Sequence, residues 1–132
     1  MSRPEARLFV LWLAVCLAGA GCQPPSKDNP DIALEWSIQP DPPFVGPAKA
    51  SLTLTDAKAG RPVEGAEVRL EGNMAHAGMK PVFSTAREVA PGRYEAPLDF
   101  TMGGDWFILI DATLRDGRTL QKQVDLRGVR SR

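Results

Sequence analysis

The sequence predicts an all-β protein, an immunoglobulin-like antiparallel β-sandwich of about seven strands. Apolar residues recur at every second position from Ile32 onward, which is the period of a half-buried strand. Twelve glycines and twelve prolines punctuate the chain, and few runs suited to helices follow the first 21 residues. Short strands separated by turn residues at intervals of about ten residues are typical of a sandwich.

Seven segments carry this strand pattern. Four of them alternate regularly, and the segments that begin at Phe83 and Leu120 alternate less regularly. The segment from Trp106 to Leu114 opens with the apolar run WFILI, which predicts a central strand covered on both faces. The predicted strands span residues 32–38, 49–55, 66–71, 83–89, 94–100, 106–114 and 120–126.

Two dipeptides predict tight turns between neighbouring strands. Pro91-Gly92 precedes the strand that contains Tyr94, and Asp116-Gly117 lies between Leu114 and Leu120. Glycine adopts the positive φ angles that short hairpin turns need, and Asp-Gly is a strong hairpin pattern. Both turns therefore favour antiparallel pairing.

The first 21 residues predict a signal peptide. Arg3 and Arg7 precede an unbroken apolar run over residues 8–18, which is shorter than the roughly 20 residues that cross a bilayer. Residues 19–22 (GAGC) resemble the lipobox of bacterial lipoproteins, which implies that Cys22 is lipidated and becomes the mature N-terminus. Gly19 stands where that motif usually has leucine, so ordinary secretion with an unmodified Cys22 is the alternative.

The predicted organisation is a leader over residues 1–21, a lipidated cysteine with a Pro-rich tether over 22–31, and a sandwich domain over 32–130. The tether sequence QPPSKDNPD has no hydrophobic anchor, so we expect it to be extended. Acyl chains on Cys22 would hold the protein on the periplasmic face of a membrane. Gln23, in place of an aspartate, favours the outer membrane by resemblance to enterobacterial sorting.

Composition argues against several classes of function. Lys plus Arg and Asp plus Glu number 16 each, so the chain has no net charge and no basic stripe for nucleic acid. The two cysteines, Cys16 and Cys22, precede the domain, which excludes a disulfide framework or a cysteine zinc site within it. The sequence shows no paired nucleophile and base, no phosphate loop and no paired acids, so we do not expect an enzyme.

Three methionines and the only histidine lie outside the predicted strands. Met74, His76 and Met79 follow the strand that ends at Glu71, and Met102 follows the strand that ends at Phe100. Counting strand directions places all four at one end of the sandwich, opposite the start of the first strand and the tether. Thioether sulfur is a soft ligand and imidazole a borderline one, so this set is suited to copper, and to Cu(I) in particular. The other interpretation is that the methionines cap the end of the core and His76 is merely exposed.

Several motifs resemble a known family of exported domains. They are the run GRPVEGAEVRL at residues 60–70, MAHAGM at 74–79, PGRY at 91–94 and FTMGGDW at 100–106. Over residues 44–126 the chain resembles the YtkA-like and FixH-related domains. The resemblance implies an immunoglobulin-like fold akin to that of CopC-type copper carriers, and a role in copper handling or respiratory oxidase assembly. Carried over by position, Met74, His76, Met79 and Met102 are the candidate copper ligands.

Two aromatic residues have predicted structural roles. Tyr94 resembles the tyrosine corner of sandwich folds, and Trp106 is expected in the core, with a lid over the metal as the alternative. The sequence therefore predicts a lipid-anchored periplasmic protein that binds copper and delivers it to an envelope metalloprotein or oxidase. The rival prediction is an immunoglobulin-like accessory module that binds another envelope protein and no metal.

Overall fold

The computed structural model describes residues 28–132, which form two antiparallel β-sheets packed face to face. None of these residues lies in a helix, so this part of the chain offers no helix that could cross a membrane. The nine strands are β1 (Ile32–Gln39), β2 (Gly46–Asp56), β3 (Arg61–Pro62), β4 (Glu67–Asn73), β5 (Val82–Thr85), β6 (Arg87–Ala90), β7 (Arg93–Phe100), β8 (Gly104–Thr113) and β9 (Thr119–Val129).

Every pairing between these strands is antiparallel. One sheet has the order β1-β2-β7-β6, with the short β3 paired to β2. The other sheet has the order β5-β4-β8-β9. The predicted all-β, immunoglobulin-like sandwich is confirmed.

The core lies between the inner faces of the two sheets. Alternate residues of β2, β4, β7 and β8 are buried, as their two-residue period predicts. Burying one such aliphatic or aromatic side chain contributes about 1.5–3 kcal/mol, so these central strands carry most of the hydrophobic stabilisation. The largest fully buried side chains are Tyr94, Phe100, Leu52, Leu54, Leu70, Ile108, Ile110 and Val68.

The segment predicted as one strand over residues 83–89 is divided between the sheets. Its first part, β5, pairs with β4, whereas its second part, β6, pairs with β7. The chain crosses at Ala86, whose N–H donates to the carbonyl of Val68 at 2.8 Å. This crossing explains the irregular alternation of the segment, and together with β3 it raises the strand count from seven to nine.

The prediction that the strand opening with WFILI is covered on both faces is wrong. The inward side chains of β8, including Trp106 and Ile108, are buried against the other sheet. Phe107 and Leu109 point to the opposite face and are only half-buried. β8 is central within its sheet, but within residues 28–132 only one sheet packs against it, so its outer apolar residues are partly accessible.

The register confirms the predicted gathering of loops at one end, called here the methionine end and defined by loops 74–81 and 101–103. Gly46 pairs with Phe100, and Asn73 pairs with Phe107, so β2, β4, β7 and β8 all have a terminus there. β1 begins at the opposite end, where Ile32 pairs with Asp56.

The last described residues close the methionine end from one side. Arg130 forms a parallel bridge with Phe44, its N–H donates to the carbonyl of Pro43 at 2.9 Å, and its carbonyl accepts from the N–H of Val45 at 2.8 Å. The loop before β2 is thereby fixed to the end of β9.

Tyr94 ties the opposite end of the sandwich together. Its hydroxyl donates to the carbonyl of Val63 at 2.7 Å and accepts from the N–H of Ala66 at 3.0 Å. The Glu88 carboxylate accepts the N–H of Gly65 at 3.1 Å. The hydroxyl of a tyrosine corner usually forms a hydrogen bond with backbone a few residues upstream. Here the carbonyl that accepts it belongs to a residue 31 positions upstream, so the bond fixes the connection between β3 and β4.

We expect Tyr94→Phe to lower the free energy of unfolding by about 1–3 kcal/mol, because it leaves a buried carbonyl and an N–H without their partner. Urea unfolding measures this loss. Ser37→Ala, which removes an exposed hydroxyl from β1, is the control and should leave stability unchanged. Equal stability of the two variants would contradict the assigned role of Tyr94.

Tyr94 also predicts a pH dependence at the alkaline end. Burial raises the pKa of its phenol from 10.0 to about 12, so the folded chain holds this proton more tightly than the unfolded chain does. Its contribution is complete below pH 10 and is lost as the pH rises towards 12. The stability gap between wild type and Tyr94→Phe should therefore be constant up to pH 10 and shrink as the pH rises from 10 towards about 12, and a gap that stays constant over this range would refute the assignment.

Candidate metal centre

Met74 is the first residue after β4, and it belongs to the core. Its side chain is buried and joins the cluster of core residues. Its Cε lies 3.1 Å from the position that a Cβ on Gly104 would occupy. Gly104 also has a φ of +121°, a conformation that L side chains rarely adopt, so the backbone favours glycine here, and an added Cβ would crowd the Met74 methyl group.

His76 and Met79 lie on the turn that leads from β4 towards β5. Gly78 takes a φ of +82° within this turn, and the N–H of Met79 approaches the carbonyl of His76 at 3.4 Å. The His76 side chain is exposed, whereas Met79 is half-buried and packs against the core. The turn therefore exposes His76 and leaves Met79 partly accessible beside the core.

Met102 lies on the corner that connects β7 to β8. Its carbonyl accepts a hydrogen bond from the indole N–H of Trp106 at 2.9 Å, and 47% of the residue is exposed. The Trp106 ring meets Phe100 edge to face, with the ring centres 5.2 Å apart. Trp106 is itself 2% exposed, so it is a core residue that fixes the corner and not a lid.

The structure brings the two loops together at one end of the sandwich, but their candidate metal ligands differ in burial. The contact of Met74 with Gly104, two residues beyond Met102, links loop 74–81 to the corner. Met74 fits the interpretation in which methionine caps the core. His76 and Met102 are exposed, and Met79 lies between these extremes.

The donors accessible at the methionine end are soft or borderline. Within residues 28–132, no three His, Cys, Asp or Glu side chains are grouped as ligands for a metal ion. Asp105, beside the corner, accepts the N–H of Gly128 at 2.9 Å and lies 3.6 Å from the guanidinium of Arg127. Its carboxylate is therefore already engaged by nitrogen donors.

The chain after β9 forms part of this end, which the sequence does not predict. A Cβ on Gly103 would lie 2.7 Å from Oγ of Ser131 and 3.1 Å from the carbonyl of Val129. These residues follow the last predicted strand. The one sequence feature that points to a role for this segment is the apolar Val129, whose side chain is buried in the structure.

The predicted leader and Cys22 lie outside the described residues. The first strand of the described residues, β1, begins at Ile32.

Comparison with known proteins identifies one family. A sequence profile described as YtkA-like matches residues 31–111. A comparison with curated proteins finds no significant match.

Two solved structures are distantly similar to the chain. The soluble domain of PmoD from Methylocystis sp. ATCC 49242 (Rockwell) is 13% identical, with 71% of this chain and 89% of that chain covered and a TM-score of 0.48. Murine CRIg is 12% identical, with 76% and 98% covered and a TM-score of 0.41. Since the profile spans more than half of the chain, this protein belongs to the YtkA-like family.

Proposed function

We propose that this YtkA-like domain binds Cu(I) at the methionine end through His76, Met79 and Met102. One observation carries the proposal: the two loops that meet there hold the only histidine and all the methionines of the described residues. In this proposal the domain is a carrier and not an enzyme.

The ligand chemistry supports Cu(I) over harder ions. Thioether sulfur and imidazole are suited to Cu(I), whereas Mg²⁺, Ca²⁺ and Mn²⁺ prefer carboxylate, carbonyl and water oxygens. Thioethers carry no titratable proton, so two of the three donors bind without proton release. His76 would bind through a neutral imidazole nitrogen, which is the form of histidine that coordinates metals.

Met74 serves as the floor of this site. Its side chain is buried against Gly104 and forms part of the core below the loop. Its predicted role as a fourth ligand stays a prediction, because coordination requires its thioether to turn away from that packing. We therefore assign His76, Met79 and Met102 to the metal and assign Met74 to packing of the core.

The orientation of the domain suits delivery from an anchored protein. β1 begins at the end opposite His76, since Ile32 pairs with Asp56 there. We propose that lipidation of Cys22 holds the chain on the periplasmic face of a membrane, the outer membrane being favoured. The copper then faces away from the lipid, towards an envelope metalloprotein or oxidase that receives it.

Titration of the full chain in mild detergent with Cu(I), against a competing chelator, tests the proposal. We expect a Kd below about 1 μM, and at least about tenfold weaker binding for His76→Ala, Met79→Ala and Met102→Ala, because each variant removes one donor. Val89→Ala, an exposed apolar change on β6, is the matched control and should bind as wild type does. Micromolar or weaker binding, or affinity unchanged in the donor variants, would overturn the copper assignment.

The packing role of Met74 has its own test. Met74→Ala should lower the free energy of unfolding by about 2–5 kcal/mol, because it leaves a cavity at the end of the core. Met74→Leu conserves the volume and should cost less than about 1.5 kcal/mol. Thermal or urea unfolding of both variants measures the difference, and similar small losses would show that the thioether does not support the core.

A further inference from the structure

The outer face of the four-stranded sheet carries an apolar stripe. Phe83 on β5 is 72% exposed, the highest value among the large hydrophobic side chains of the described residues. Phe107 and Leu109 on β8 share this face and are half-buried. A central strand with apolar residues on both faces is typical of sheets that are covered on both sides, yet the part of the chain that the structure describes covers only the inner face.

The register places a carboxylate within the stripe. Glu71 on β4 pairs with Phe83 on one side and with Leu109 on the other. The next pair along the two central strands is Asn73 with Phe107. The Glu71 side chain therefore stands between apolar neighbours, and its Oε1 accepts a hydrogen bond from Nδ2 of Asn73 at 3.0 Å.

The polar side chains around the stripe are held in lateral pairs. Each pair joins neighbours on the same face, so the polar groups engage one another and leave the apolar surfaces open. The pairs are Arg69 with Glu67, Asn73 with Glu71, Gln121 with Asp111, Gln123 with Asp125 and Arg127 with Asp105.

These pairs leave an excess of negative charge on the face. Two of the carboxylates, Glu67 and Asp105, are balanced by arginine. Among residues 28–132, Glu71, Asp111 and Asp125 accept hydrogen bonds only from the neutral amides of their neighbours. Three unbalanced carboxylates therefore flank three apolar side chains.

The outer face of the other sheet has a different character. Most outward positions of β1 and β2 are polar, among them Glu35, Ser37 and the half-buried Ser51, although Ala33 and Pro47 are exposed there as well. Nζ of Lys49 on β2 lies 3.4 Å from Oε1 of Glu95 on β7. An apolar stripe flanked by unbalanced acids is thus a specific property of the β5-β4-β8-β9 face.

We infer that this face, defined by Phe83, Glu71, Leu109 and Phe107 and called the acidic apolar face, binds a partner protein that presents lysine or arginine between apolar side chains. Apolar contact supplies most of the affinity, and pairing of a cation with Glu71 supplies orientation and specificity. A second copy in face-to-face contact would bring like carboxylates together, which disfavours self-association.

The acidic apolar face adjoins the methionine end, because Asn73 immediately precedes Met74. A partner bound there contacts the same end of the sandwich as the two loops. The inference itself does not depend on metal: it rests on the sheet register and charge, so the outcome of the copper titration leaves it unchanged.

Two synthetic β-hairpin peptides provide the probe. Both carry the same aromatic residues on one face, and they differ only in having lysine or glutamate between them. The full chain in mild detergent should bind the lysine hairpin and not the glutamate hairpin, with amide NMR shifts centred on β4, β5 and β8. Phe83→Ser and Glu71→Gln should each weaken binding by at least about fivefold, and added salt should weaken it further.

Val89→Ser is the matched control, since Val89 is an exposed apolar residue on the other sheet, at 42% exposure. It should leave the affinity for the lysine hairpin unchanged. Equal binding of both hairpins, or an equal loss in Val89→Ser, would overturn the proposal. A concentration-dependent dimer that Phe83→Ser abolishes would also overturn it, by assigning the face to a second copy of the chain.

Discussion

The arrangement of the methionine end depends on the packing of Trp106 against Phe100. Phe100 ends a strand of one sheet and Trp106 lies near the start of a strand in the other, so their edge-to-face contact joins the two sheets where the chain crosses between them. The indole N–H holds the carbonyl of Met102 in the crossing. An aromatic pair of this kind contributes about 0.5–1.5 kcal/mol beyond burial, and here it also fixes which backbone the loop can adopt.

Much of this end could be predicted from the sequence because strand direction needs only the count of strands between two loops. Dividing residues 83–89 between two sheets does not alter that count, since β5 and β6 continue in one direction from Val82 to Ala90. The burial of each candidate ligand could not be predicted in this way. Burial of Met74 depends on its contact with Gly104, which lies 30 residues away in the sequence and gives no local pattern.

The wrong predictions share one physical origin, because periodicity reports the character of side chains and not what lies against them. The run WFILI is apolar at consecutive positions. This pattern fits a strand that is buried on both faces, and it fits equally a strand that is buried on one face and has an apolar but accessible second face. The structure distinguishes the two cases through Phe107 and Leu109, which are half-buried and are covered by no second sheet of the described residues. The C-terminal contribution at Arg130 was equally hidden, because it consists of backbone hydrogen bonds.

The strand β4 connects the two surfaces on which the proposals rest. Its inward side chains, such as Leu70, are fixed in the core, and its outward Glu71 lies in the acidic apolar face. Its last residue, Asn73, bonds Glu71 and leads directly into the loop that carries His76. Because a strand paired on both sides moves little, a partner seated on Glu71 would lie at a fixed distance from the loop. The turn that carries His76 and Met79 therefore follows directly on the strand that carries Glu71, and in these proposals a recipient that used both surfaces would receive its metal in a defined orientation.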